Sequence, residues 1–508
     1  MRSVTAAAGT PDGLTRLARA GTVNLAGAIV TGVCTFGLTV VIARGVSRAE
    51  AGAFFSATSL FLVATAVGQL GTQTALVYFV ARCRAAGQSA HTDAYLRIAI
   101  RPVVAIAAAM AVAVFVFARP LAELTLPDHA DSATTYFRVM ALFIPAAGVE
   151  YVLLAGTRGL GYMRATALIE QIGRPAAQLT LVAAATLAAT SAALGLAWSA
   201  TYLPAALAAW LAWRALRSRQ PVADLTDDPP PTPRKFWNFA MPRALTSVLQ
   251  MLMQRFDIVL VGAIAGAADA AIYAAATRFI VLGQLAMNAF TTASQPQLAA
   301  HLSTGNRERT NAVYQTSTAW LMLVTWPLYL TMIVFAKPLL LVFGHGYSAG
   351  QAAILLIACS MLVATGFGVV DTVLSMAGRT SWNLGNAALA FAINIGLDLL
   401  LIPRHGIVGA AIGWAAAIVV RNVAAVLQVS LRLGPHPFAQ PALVAAVLTS
   451  ACYFALLVAV RSLLGATPFA LAVGLVVATA VYLPSLWLAR HSLRLDALVG
   501  LRHARSGG

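Results

Sequence analysis

The sequence predicts an all-α polytopic membrane protein of about fourteen transmembrane helices, built as two parallel six-helix lobes with an appended helix pair. Three observations predict it. Hydrophobic residues make up 60% of the chain and charged residues 10%, with a mean hydropathy of +0.79, which is a membrane composition. The apolar residues fall in runs of about 20 or more, the length an α-helix needs to cross hydrocarbon at about 1.5 Å per residue. The chain also repeats itself: Phe117-Ala118-Arg119-Pro120-Leu121 recurs 218 residues later as Phe335-Ala336-Lys337-Pro338-Leu339. Further on, Glu150-x-Val152-Leu153-x4-Arg158 is echoed by Asp371-x-Val373-Leu374-x4-Arg379.

After a cytoplasmic tail, 1–20, the N-lobe (21–213) holds spans one to six at 22–43, 52–78, 99–118, 134–157, 165–188 and 193–213. A polar stretch, 214–235, with Asp227-Asp228-Pro229-Pro230-Pro231 at its centre, reads as a cytoplasmic linker. The C-lobe (236–430) holds spans seven to twelve at 237–264, 268–298, 313–335, 350–376, 381–402 and 407–429. Spans thirteen and fourteen, 439–462 and 467–489 within an appended segment 431–489, fall outside the duplication, and a second tail, 490–508, follows. Only helices and closed barrels satisfy their backbone in lipid, and these runs are twice the length of a barrel strand. The first span is too long for a signal-peptide core and is expected to remain as an anchor. Six spans per lobe is an even number, so the repeats are parallel about an axis along the membrane normal. Substrate sites in such proteins tend to lie near the bilayer midplane where repeats meet.

Lys and Arg set the orientation. With the N-terminus cytoplasmic, the outside loops carry only Arg44, Arg48, Arg119, Lys337, Arg404 and Arg461, which puts both termini inside a bacterial plasma (inner) membrane. The net charge of +17 is then a topology signal and an attraction to anionic lipid heads, not a nucleic-acid surface. Cys34, Cys83, Cys359 and Cys452 have no paired spacing and indicate neither a disulfide framework nor a metal site. No catalytic motif is evident. The only lysines, Lys235 and Lys337, are outside any P-loop context, H-E-x-x-H is missing, and no outside loop is long enough for a domain. The chain is read as a non-enzyme with no cofactor.

Ten of the ionisable residues inside the spans are singled out: Arg138, Glu150, Glu170, Arg174, Arg243, Arg255, Asp257, Arg278, Asp371 and Asp398. Each is costly in hydrocarbon and must face the bundle interior, a partner or water. Structural ion pairing and substrate contact are equally open readings. On span seven Arg243, Ser247, Gln250, Gln254 and Asp257 share a helix face, and on span eight Thr277, Gln284, Asn288, Thr291 and Gln295 do so. Two polar stripes on consecutive helices suit a hydrated cavity wall better than helix packing alone. A guanidinium fork suits a diphosphate, which makes Arg243 and Arg278 the candidate contacts; Arg255 points to nearly the opposite face from Asp257 and is read as structural. Gln250, Gln254, Gln284 and Asn288 are the cavity lining. Glu170 and Arg174, four apart, are expected to pair within span five. Glu150 and Asp371 lack an obvious same-helix partner and, with Asp257, are candidates for binding a coupling ion, H⁺ or Na⁺.

Several short motifs carry a resemblance: Phe239-Ala240-Met241-Pro242 opening span seven with Asp257 beyond it, Tyr273 in span eight, Phe343-Gly344-x2-Tyr347 after span nine, and Pro403-x2-Gly406-x2-Gly409-Ala410-Ala411 entering span twelve. Over about residues 22–430 the chain resembles the multidrug/oligosaccharidyl-lipid/polysaccharide (MOP) exporter superfamily, especially its Wzx-type polysaccharide repeat-unit flippases. The resemblance implies a MATE-like fold and alternating access. It implies turnover of an undecaprenyl-diphosphate-linked glycan, with a polysaccharide polymerase or glycosyltransferases as partners. Flippases often carry two spans beyond the twelve of the drug antiporters, as here. A lipid II flippase's arginine-marked first span is missing, since 22–43 is uncharged. The alternatives are an ion-coupled exporter of small amphipathic molecules on the same fold and a membrane glycosyltransferase or ligase.

Overall fold

The computed structural model describes residues 11–85, 90–188, 190–220 and 231–494, and these form helices and turns without a strand among them. The centre of the expected linker, 221–230, and the ends of both expected tails, 1–10 and 495–508, lie outside the described residues.

Among the described residues twelve helices are long and apolar enough to cross a membrane, and the pair Pro127–Ala141 and Ile144–Gly159, bent by 43°, makes thirteen if it counts as one broken span. The expected span five is helical over Met163–Ala185 but carries Arg164, Glu170 and Arg174, and it falls outside that set. Expected span two is two helices, Arg48–Gly68 and Thr72–Ala85, broken where Leu70 and Gly71 take positive φ. Gly71 is needed there: a Cβ would lie 2.4 Å from the Ala240 carbonyl oxygen. The chain is thus a multi-pass membrane protein, and its exposed apolar side chains, such as Val112, Val116, Leu399, Leu400 and Leu483, are where lipid replaces a protein core.

Contacts divide the chain into two compact units, Met1–Ala271 and Ile272–Gly508. In the first, Arg48–Gly68 is the central helix, 78% buried over its apolar window, whereas His91–Val116 is peripheral at 22%. Around the central helix Phe54, Phe61, Tyr136, Trp198 and Tyr202 pack mostly edge to face with centroids 5.1 to 6.5 Å apart. Tyr136 and Ser191 both donate to Glu50 Oε1, at 2.7 and 2.6 Å, and tie three helices together at this end. A second core of Leu76, Phe79, Val152, Leu154, Trp213 and Phe236 fills the other end.

In the second unit the appended pair, Gln440–Leu464 and Pro468–Leu488, packs on the helix Arg307–Val334. Phe335, Tyr453, Leu457 and Tyr482 form that core, and Tyr482 Oη donates to the Leu323 carbonyl at 2.8 Å. The repeated pentapeptides take one local form in both units. A span ends at Val116 or Val334, the helix breaks at Phe117 or Phe335, and a short helix, Ala118–Thr125 or Ala336–Leu341, follows. Proline at the third helical position, Pro120 or Pro338, needs no amide partner there, which suits it to the first turn.

Gly52 marks the tightest approach in the first unit: a Cβ would stand 1.7 Å from the Ala267 carbonyl oxygen. Gly52→Ala is therefore expected to cost about 1–3 kcal/mol or more, because backbone must move. Gly385→Ala, with nothing within 4 Å of the new methyl, is expected to leave stability unchanged or slightly raised. Thermal unfolding of the purified variants in detergent checks both, and equal midpoints would contradict the packing.

Candidate functional site

The densest buried polar cluster described in the first unit grows from an irregularity in span five. Ala167–Gly173 is one π-helical stretch set between helical turns, and it widens the backbone spiral. Its Gln171 carbonyl accepts a hydrogen bond from Thr31 Oγ1 at 2.7 Å, and a Cβ at Gly27 would meet the Gln171 side chain. The extra residue in the turn takes Glu170 and Arg174 off a common face. The i,i+4 pair expected from the sequence is accordingly replaced by two longer-range pairs: Arg174 Nε lies 3.2 Å from Glu150 Oε1, and Arg158 Nη1 lies 3.4 Å from Glu170 Oε2.

Arg174 is the hub. It donates from Nη1 to Tyr202 Oη at 2.9 Å, its Nη2 is 3.5 Å from Tyr151 Oη, and its guanidinium sits 4.6 Å from the centroid of the Tyr202 ring. Glu150 is fully buried, with Oε1 bound to Arg174 and Oε2 without a hydrogen-bond partner. Arg158 adds a hydrogen bond to Gln73 Oε1 at 3.1 Å, and Gln73 in turn donates to Gln69 at 2.7 Å. Arg255, on Pro233–Ala265, lies within electrostatic reach of Tyr151 and Tyr202. Its Nε is buried without a hydrogen-bond partner, and it joins none of the ion pairs among the described residues. Among the described residues Arg158 pairs with Glu170 and Arg174 with Glu150, and Arg255 is a third guanidinium in neither pair. Desolvated cations in excess favour an anion that brings its own oxygens.

The stripe residues fall as follows. Arg243 folds back on its own helix, donating to the Phe239 carbonyl at 2.9 Å with the guanidinium 3.6 Å from that ring's centroid. Gln250 and Gln254 are exposed on the same helix, and Asp257 is buried. In the second unit Arg278 is buried, and Gln284 and Asn288 are exposed on Ala267–Ser303. The repeat-related acids find partners on neighbouring helices, which a search along one helix could not reveal. Glu150 takes Arg174, and Asp371 takes Arg421.

Arg421 was not singled out from the sequence, although it lies inside the expected span twelve. Equally missed is a polar stripe on Thr380–His405. Asn386 and Gln428 exchange amide hydrogen bonds at 2.9 Å, and buried Asn394 donates to buried Asp398 at 3.0 Å. Gly413 makes room for that acid, since a Cβ would lie 2.3 Å from Asp398 Oδ1. The spacing of Asn386, Asn394 and Asp398 at multiples of four was the available signal.

The family model described as polysaccharide biosynthesis protein matches residues 17–301, and that of MatE matches 242–400. No curated protein sequence matches the chain significantly. Among solved structures, the lipid II flippase MurJ in an inward closed conformation is 12% identical with a TM-score of 0.66, over 92% of this chain and 98% of that one. An inward-facing multidrug resistance MATE transporter of the MOP superfamily gives 14% and 0.61, over 80% and 94%. The Vibrio cholerae MATE transporter VcmN, in a mutant form, gives 18% and 0.57, over 82% and 97%. At these identities the likeness establishes the MATE-like fold.

Removing Arg174 strands a fully buried carboxylate, so Arg174→Ala is expected to cost about 3–5 kcal/mol. The double variant Glu150→Gln/Arg174→Gln should cost clearly less than the sum of its single variants. Additive losses in detergent unfolding midpoints would contradict the pairing.

Proposed function

Because the chain belongs to the polysaccharide biosynthesis protein family, we propose that it is a flippase for lipid-diphosphate-linked oligosaccharide repeat units, working by alternating access in surface polysaccharide synthesis. The substrate class is an undecaprenyl-diphosphate-linked glycan, made by glycosyltransferases and consumed by a polymerase. The membrane is the bacterial inner membrane, with both termini cytoplasmic. The observation that carries the reading is the excess of guanidinium over carboxylate in the first unit, where Arg255 has no carboxylate partner among the described residues and Arg174 is held by Glu150, Tyr151 and Tyr202. A diphosphate supplies the acceptors such a cluster lacks, and a cationic drug would be repelled by it.

Arg255 therefore joins Arg243 and Arg278 as a proposed diphosphate contact. The exposed amides Gln250, Gln254, Gln284 and Asn288 are proposed to bind sugar hydroxyls, which they can do without fixing a charge. Glu150, Asp371 and Asp257 are the proposed ion-coupling acids, the first two of them paired with Arg174 and Arg421.

The rival is ion-coupled export of small amphipathic molecules, favoured by the MatE match over 242–400. The MOP neighbours are transporters and flippases, and a transferase reading gains nothing from them.

Arg255→Ala and Arg278→Ala are each expected to lower surface polysaccharide at least tenfold at normal protein levels, the loss of about 1.5–3 kcal/mol of charge-assisted hydrogen bonding. Arg243→Ala, whose side chain is already satisfied by Phe239, is expected to be milder. Complementation of a deletion strain measures this. Wild-type polysaccharide in the Arg255/Arg278 double variant, or a deletion phenotype confined to drug susceptibility, would sink the flippase reading.

A further inference from the structure

Residues at or near the ends of three apolar segments of the second unit, Arg307–Val334, His345–Gly366 and Gln440–Leu464, come together. A recess of about 170 Å³ lies among these ends, lined by Lys337, Arg461 and Gln351 together with Val334, Pro338 and Leu355. Its position at the ends of spans puts it at the depth of lipid headgroups, and its floor is apolar.

The two halves of the repeat treat the same basic position differently. In the first unit Arg119 is neutralised twice, with Nε 2.6 Å from Glu123 and Nη1 2.6 Å from Asp131. Its counterpart Lys337 joins no ion pair among the described residues, and it shares its recess with a second cation. Arg461 is held in place by one donation, from Nη1 to the Val334 carbonyl at 2.5 Å, which leaves its other face for a ligand. No Asp or Glu occurs in the sequence from 309 to 370 or from 399 to 495, so the chain between these bounds has no carboxylate to offer either cation.

We propose that Lys337 and Arg461, with Gln351 as a hydrogen-bonding partner, bind the phosphate of an anionic membrane phospholipid, whose acyl chains continue along the apolar floor. Basic recesses between transmembrane helices suit phosphate headgroups, and a guanidinium beside an ammonium combines directional donors with a point charge. This binding requires only that the chain spans a membrane, whichever cargo it carries. On the orientation set by the basic residues, the lipid belongs to the outer leaflet.

The test is thermal unfolding of the purified full-length protein in nonionic detergent, titrated with phosphatidylglycerol, phosphatidylcholine or inorganic phosphate. Phosphatidylglycerol is expected to raise the midpoint, and neither other addition to match it. Lys337→Gln, which removes an exposed side chain with no protein partner to lose, is expected to weaken the apparent phosphatidylglycerol affinity about fivefold, the value of one basic group near an anionic surface. Arg119→Gln, whose charge is already balanced, is expected to leave that affinity unchanged, and Lys337→Gln/Arg461→Gln to weaken it further. An unchanged response in Lys337→Gln, an equal loss in Arg119→Gln, or full stabilisation by inorganic phosphate alone would each overturn the lipid site. None of these outcomes bears on polysaccharide export, so the flippase reading is tested separately.

Discussion

A charge placed in hydrocarbon must find a partner or reach water, and the contact between Glu150 and Arg174 is where this chain meets that constraint most severely. A fully buried carboxylate is tolerable here because it faces a guanidinium, which Tyr202 and Tyr151 help to hold in place. That arrangement needs Arg174 turned away from Glu170, which the π-helical stretch Ala167–Gly173 accomplishes. The same stretch needs a partner for the Gln171 carbonyl, which Thr31 supplies from the first span. One local widening of a helix therefore fixes the mutual register of spans one, four, five and six.

The second unit solves the equivalent problem differently. Asp371 is half exposed and pairs with Arg421 from span twelve, while the fully buried acid, Asp398, is met by Asn394 and by the space that Gly413 leaves. Duplication has preserved the helix breaks at Phe117 and Phe335 but not the electrostatics around them. Arg119 pairs with two carboxylates, and Lys337 pairs with none among the described residues.

The spans were legible because hydropathy and length are properties of one segment at a time. So was the repeat, whose pentapeptides correspond to two matching helix breaks. What depended on pairing between helices was not legible. The Glu170–Arg174 pair was lost to a π-turn that Ala167-Leu168-Ile169-Glu170 does not announce, and Arg421 passed unnoticed because its partner lies 50 residues away. The polar stripe of Thr380–His405 was visible as spacing, yet only Asp398 drew attention because amides carry no charge to flag them. Arg255 was read as structural from its angular offset to Asp257, and its electrostatic proximity to Tyr151 and Tyr202 depends on helix packing that the offset alone does not reveal.

On the proposed reading the chain is a flippase with an anionic cargo, a charge that the buried arginines of the first unit would favour. The most direct measurement is translocation by purified protein in sealed vesicles, comparing a fluorescent polyprenyl-diphosphate oligosaccharide with a cationic dye. The account predicts that the diphosphate lipid crosses, that the Arg255→Ala protein moves it at least tenfold more slowly, and that the dye is not moved. Movement of the dye, with the diphosphate lipid left in its original leaflet, would contradict it.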